Sequence, residues 1–175
     1  RGNLEDALRM SENMKNEGFV VTADTMSGLL DAQLCICDLD GCMKVADDME
    51  KASFRLNILR TRKLIGALCL ARRVDDAFFI FEKAVANGVE GDIAIYNDLI
   101  DLASECHCPQ RVLPVFRNLE KRGIRPDFLR SHTLVYLLSQ IERISDALIV
   151  LNRLPMGTQR ANIDSYLELI SASFR

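Results

Sequence analysis

The chain has 175 residues, 49% of them apolar and 27% charged, which is one domain's length with ample material for a packed core. Its formal net charge of −3 lacks the basic excess with which autonomous nucleic-acid domains neutralise phosphates, which counts against tight general binding of RNA or DNA. No run approaches the roughly 18 uncharged apolar residues that cross a bilayer, six cysteines are too few for a disulfide scaffold and fit a reducing compartment, and two histidines leave little for acid–base chemistry.

The dominant feature is a period. Leu29, Leu64, Leu99, Leu134 and Leu169 stand 35 residues apart, each followed by an aliphatic residue: Leu30, Ile65, Ile100, Val135 and Ile170. Ala7, Cys42, Ala77, Val112 and Ala147 keep the same step, as do Ile80, Val115 and Val150 beside Phe81, Phe116 and Leu151. A polar series runs with them: Asn57, Asp92, Asp127 and Asn162, all short side chains carrying an oxygen acceptor.

Taken in chain order, residues 1–22 hold a lone helix over 4–17, four full units follow at 23–57, 58–92, 93–127 and 128–162, and residues 163–175 begin another. Each full unit carries helical apolar spacing twice: in the second unit Leu64, Leu68 and Ala71 mark one helix, and Val74, Ala77, Phe78, Phe81 and Ala84 the next. Asp40, Asp75, Asp76 and Asp146 suit the positive start of the second helices, and Gly88 and Gly123 suit left-handed caps at their ends. Pro109 opens the second helix of the third unit, Pro114 is expected to bend it, and Pro155 should stop the matching helix of the fourth unit. A lone hairpin cannot bury its apolar stripe, so the units must stack into an all-α, curved solenoid whose concave wall is made of first helices. The half-hairpins at both ends read as an excerpt of a longer protein.

The segments Ile95-Tyr96-Asn97-Asp98-Leu99-Ile100-Asp101, Arg73-Val74-Asp75-Asp76-Ala77 and Gly123-Ile124-Arg125-Pro126-Asp127, set on a 35-residue unit, resemble pieces of a pentatricopeptide repeat, and the resemblance covers essentially the whole chain. The tetratricopeptide repeat has a 34-residue unit and a Trp/Leu-Gly/Tyr pattern that is not found here. The resemblance implies a non-catalytic organellar protein, mitochondrial or plastid, that holds single-stranded transcript or ribosomal RNA on the concave face, one base per repeat. It places the fifth and last residues of each unit at the base edge: Ser27 with Asn57, Arg62 with Asp92, Asn97 with Asp127, and His132 with Asn162. Asn97 with Asp127 is a combination the family associates with uracil and less strictly with cytosine; Ser27 with Asn57 resembles the adenine type; Arg62 and His132 depart from the pattern. The second residue of each unit sandwiches the base, a role open to Leu59, Ala94 and Leu129 but not to Asp24 or Asp164.

Phosphate contacts fall to Arg60, Lys63 and Arg130, with Arg62 nearby, against the acids Asp31, Asp98, Asp101, Glu105 and Glu168 that the first helices also present. The second unit is therefore expected to anchor RNA and the third to read it. The acidic balance keeps open a different role, as a structural subunit of a large organellar complex, such as a mitochondrial ribosome, acting through protein contacts. Asn97 and Asp127 also suit ordinary turn and cap positions. No cofactor or metal is implied: Cys106-His107-Cys108 lacks the Cys-x2-4-Cys spacing of structural zinc and reads as small buried thiols, and Cys42 and Cys69 read as core. No nucleophile and base are paired by spacing, so His132 reads as a groove residue.

Overall fold

The computed structural model describes residues 22–89 and 91–153, together with the isolated positions 6, 9, 13 and 171. Among the described residues there are eight α-helices and no strand: α1 (Ala23–Cys35), α2 (Leu39–Lys51), α3 (Ile58–Leu70), α4 (Val74–Ala86), α5 (Ile93–Glu105), α6 (Val112–Arg122), α7 (Phe128–Gln140) and α8 (Ile144–Asn152). The partial helices expected near both ends, with Asn162 and Asp164, lie outside the described residues.

The polar series sets where the first helices begin. Asn57, Asp92 and Asp127 each accept, through Oδ1, the backbone N–H three residues on, at 2.9, 3.0 and 2.9 Å, and Thr22 does the same for α1 at 3.3 Å. Each bond satisfies a donor that the first helical turn leaves without a partner. The helix ends are as regular. Gly88 and Gly123 adopt φ of 76° and 64°, as expected, and Ser53 holds the same place in the first unit at φ 60°. A second left-handed series, carried by no glycine, closes the first helices at Cys37, Arg72, His107 and Glu142. The residue after each donates to a carbonyl five back, as from Arg73 to Leu68 and from Cys108 to Ala103, both at 2.9 Å. These bonds offset the cost of placing a side chain in left-handed backbone.

Successive first helices pack directly on one another (α1 on α3, α3 on α5, α5 on α7), whereas successive second helices barely meet, so the stack curves with the first helices on its inner side. The core repeats with the sequence. Leu64, Leu99, Leu134, Ile65, Ile100 and Val135 are buried, as are Cys42, Ala77, Val112 and Ala147 at the hairpin crossings. Each buried aliphatic side chain removed from water contributes about 1.5–3 kcal/mol, and a hairpin completes this burial only with its neighbours stacked on it. Leu29 departs from its series, being half-buried while Leu30 is fully enclosed. On the outer side Arg73 reaches Asp40 at 2.5 Å, Lys83 reaches Glu50, and Arg153 meets Glu120 at 3.0 Å, tying second helices across units.

Pro114 does not bend the interior of a longer helix. The chain instead enters through a 3-10 turn at Pro109–Arg111, and α6 starts only at Val112, so Pro114 lies in the first turn where its missing N–H costs nothing. Helix α8 ends at Asn152, three residues ahead of Pro155, which lies outside the described residues. No helix among the described residues is long and apolar enough to cross a membrane.

Candidate nucleic-acid interface

The inner wall is built from side chains at equivalent places on α1, α3, α5 and α7. The capping residues serve it twice. Asp92 spends Oδ1 on the N-terminus of α5 and turns Oδ2 toward Arg62, whose Nη1 donates to it at 3.3 Å. Asp127 caps α7 through Oδ1 and accepts from Asn97 Nδ2 on Oδ2 at 3.5 Å. In both units the fifth and last side chains thus meet, and the cap fixes the carboxylate beside its partner. The cap reading and the wall reading of Asp127 are compatible because the carboxylate has two oxygens.

Asn57 caps α3, with Ser27 half-buried on α1; His132 is half-buried on α7. Leu59 and Leu129, at the second place of their helices, are 57% and 62% exposed, open enough to lie against a ring, while Ala94 is half-buried. Asn97 holds Oδ1 inward, buried without a hydrogen-bond partner.

The cations are engaged. Arg60 gives Nε and Nη2 to one oxygen of Asp31 at 3.1 and 2.9 Å, and Arg130 repeats the arrangement on Asp101 at 3.2 and 2.8 Å. Lys63 lies 4.0 Å from Asp31, and Arg130 also reaches Asp127 at 3.3 Å. These two acids, one unit back and in the ninth place of their units, are the feature that counting charges along the chain misses. The 35-residue register shows it: Asp31 to Arg60 and Asp101 to Arg130 are the same pair of positions, two units apart. Asp98, next to Asn97, is different: burial pushes its carboxyl above the usual range, Asp101 and Asp92 push the same way, and Arg62 and Arg130 pull back.

Beneath this wall the third unit has a half-buried polar cluster around the fully buried Tyr96 ring. The Tyr96 hydroxyl donates to Asn118 Oδ1 and receives Arg122 Nη1 at 3.2 Å, and the same Nη1 reaches the Gly91 carbonyl at 2.9 Å. Phe81 meets the Tyr96 ring edge-on, with centroids 5.8 Å apart. A Cβ at Gly91 would stand 3.0 Å from the Tyr96 oxygen, so any larger residue before Asp92 obliges the Tyr96 hydroxyl to shift. The cluster pins both the Asp92 turn and the start of α5, and with them Asn97.

The cysteines do not form a site. Burial, aided by nearby Asp38 and Cys37, raises the Cys42 thiol to about 11; burial, aided first by Asp98, raises Cys69 to about 12. Cys69 is only half-buried, and Cys106 and Cys108 are half-buried rather than enclosed, because they flank the left-handed turn at His107, itself exposed. Among the described residues no three metal-ligating side chains converge.

A stack of equal helical hairpins with paired polar residues on its inner wall defines a helical-repeat protein. The sequence matches the pentatricopeptide repeat domain over residues 44–103 and 79–130, and the chain belongs to the pentatricopeptide repeat family. No curated protein matches it. Among solved structures it is similar to the pentatricopeptide repeat protein PPR10 from maize, at 16% identity and a TM-score of 0.54 over 99% of this chain and 30% of that one; PPR10 is also known in complex with an 18-nt psaJ RNA element. Nuclear proteinaceous RNase P 2 from A. thaliana aligns at 14% identity, TM-score 0.61, over 93% of this chain and 38% of that one. The PPR domain of Arabidopsis thaliana protein-only RNase P 1, in complex with tRNA, aligns at 12% identity, TM-score 0.58, over 94% of this chain and 91% of that domain. These identities establish a shared fold. The chain spans about a third of the length of the maize protein.

Proposed function

We propose that the chain is a non-catalytic, organellar RNA-binding array, mitochondrial or plastid, that lays single-stranded RNA along its inner wall. The observation that carries this reading is the repeated side-chain pair: Arg62 with Asp92 and Asn97 with Asp127, each carboxylate fixed by its capping bond and left with acceptor capacity toward the groove. Asn97 and Asp127 read a uracil-type edge; Leu59, Ala94 and Leu129 are the sandwiching side chains; Ser27 with Asn57 and His132 with Asn162 continue the row. Arg60, Lys63 and Arg130 meet phosphate only by exchanging their carboxylate partners for it, so affinity is modest and strongly dependent on salt. The RNA complexes of PPR10 and of the RNase P domain support the same use of the fold.

The test is binding to short single-stranded RNAs that differ at one base, over a salt series. Base-dependent affinity that Asn97→Ala and Asp127→Ala abolish is the expected result; equal, feeble binding to every RNA overturns the proposal. A second reading, a scaffold subunit acting through protein contacts, is favoured by one observation. The cleft of about 390 Å³ between α3 and α5 is walled by Asp98, Asp101 and Glu105, with Arg72 the lone cation, a surface suited to a basic protein segment.

A further inference from the structure

We infer that the second unit, through Arg62 and Asp92, selects guanine. This rests on the RNA reading above and adds to it the base, at the unit whose fifth residue departs from the family's usual choices. Donor and acceptor complementarity decides the base. Arg62 and Asp92 touch at 3.3 Å, with side chains 55% and 38% exposed, so the pair is reachable from the groove. Arg62 spends one N–H on Asp92 and keeps the rest of its guanidinium donors. Asp92 spends Oδ1 on the cap and Oδ2 on Arg62, and each oxygen retains a lone pair.

A base laid on this pair takes water from two charges at once, and the loss is offset only if both regain hydrogen bonds. Guanine supplies them in order around its ring: N2–H and N1–H on the Watson–Crick edge for the carboxylate, then O6 at the corner and N7 beyond it on the Hoogsteen edge for the guanidinium. Cytosine has one donor, N4, for the carboxylate. Adenine offers the carboxylate N6 alone, and uracil offers only N3–H. Guanine alone serves each charge twice. Leu59, half open to solvent at the start of the same helix, supplies the apolar surface against which a purine covers more area than a pyrimidine. In the third unit the neutral Asn97 amide replaces the guanidinium, so the two units present different edges although their carboxylates are held alike.

The experiment is fluorescence anisotropy of the chain with a uridine-rich single-stranded RNA in which each position in turn carries guanine, adenine or cytosine. One position should favour guanine by about tenfold over the other bases. Arg62→Asn converts the pair into that of the third unit, and the preference at that position should change to whatever base the Asn97 position prefers. Position 62 is exposed on α3, and far-UV circular dichroism of the variant confirms its fold independently. Base dependence at the Asn97 position without a guanine preference at its neighbour overturns this inference alone. A guanine preference that survives Arg62→Asn also overturns it. Absence of base dependence at every position overturns the RNA reading and this inference together.

Discussion

Asp98→Asn removes the one groove acid that stands beside the Asn97 amide without an ion-pair partner within 4.0 Å among the described residues. The size of the effect is worked for a phosphate seated over α5 at about 8 Å from this carboxylate, roughly one Debye length at ordinary ionic strength. Two unit charges at that distance repel by about 0.5 kcal/mol in bulk water and about 1 kcal/mol at half that dielectric constant. Affinity for single-stranded RNA should therefore rise about two- to fivefold at low salt, and the gain should fade as the Debye length drops below the separation. The pH dependence follows from the raised carboxyl. A bound polyanion favours its protonated form further, so binding takes up a proton and the unaltered chain gains affinity as pH falls through the Asp98 titration, a gain that Asp98→Asn lacks. Folding behaves in parallel. Because burial lifts the folded-state value above that of the unfolded chain, ionisation costs stability as pH rises through it, and the variant should melt higher near neutrality but equally in acid. Anisotropy titrations at two salt concentrations and two pH values check the binding, and thermal melts at the same pH values check the stability. An unchanged affinity at low salt would show that no phosphate passes near α5.

Four further outcomes are expected. Tyr96→Phe strips one hydroxyl from Asn118 and Arg122 and should cost about 1–2 kcal/mol in urea unfolding; an unchanged midpoint would remove the cluster from the account. His107→Gly relieves a left-handed side chain and should stabilise by about 1 kcal/mol, whereas Gly123→Ala, with open space around its Cβ, should lose about as much through backbone strain alone. Thermal melts of the two variants should move in opposite directions. Iodoacetamide at pH 8 followed by mass spectrometry should label the exposed Cys35 and Cys37 well before Cys42 and Cys69, whose thiols burial holds at about 11 and about 12; equal labelling would show that the stack opens readily.

The architecture was legible because each local signal recurs on one period. The residues that cap first helices, Asn57, Asp92 and Asp127, were visible as a polar series before their Oδ1 bonds were seen, and Leu64, Leu99 and Leu134 mark the core at the same step. The left-handed turns at Cys37, Arg72, His107 and Glu142 were not legible. Their residue types carry no conformational signature, and it is the carbonyl geometry of the preceding helix that holds them there. Pro114 was misplaced for a related reason: a proline forbids one hydrogen bond, and the chain met that constraint by starting its α-helix three residues later, after a 3-10 turn. The neutralised cations are a matter of contact across units. Arg60 and Arg130 read as free bases in one dimension, and only the packing of α1 on α3 and of α5 on α7 brings Asp31 and Asp101 to them.

The most direct test follows the Asn97 side-chain amide by heteronuclear NMR during titration with single-stranded RNA. A base-dependent shift of the Asn97 Nδ2 resonances is expected, while Asn118, bonded to Tyr96 beneath the wall, stays in place. Saturation with RNA that leaves Asn97 unmoved, or that shifts second-helix residues instead, would contradict the RNA reading.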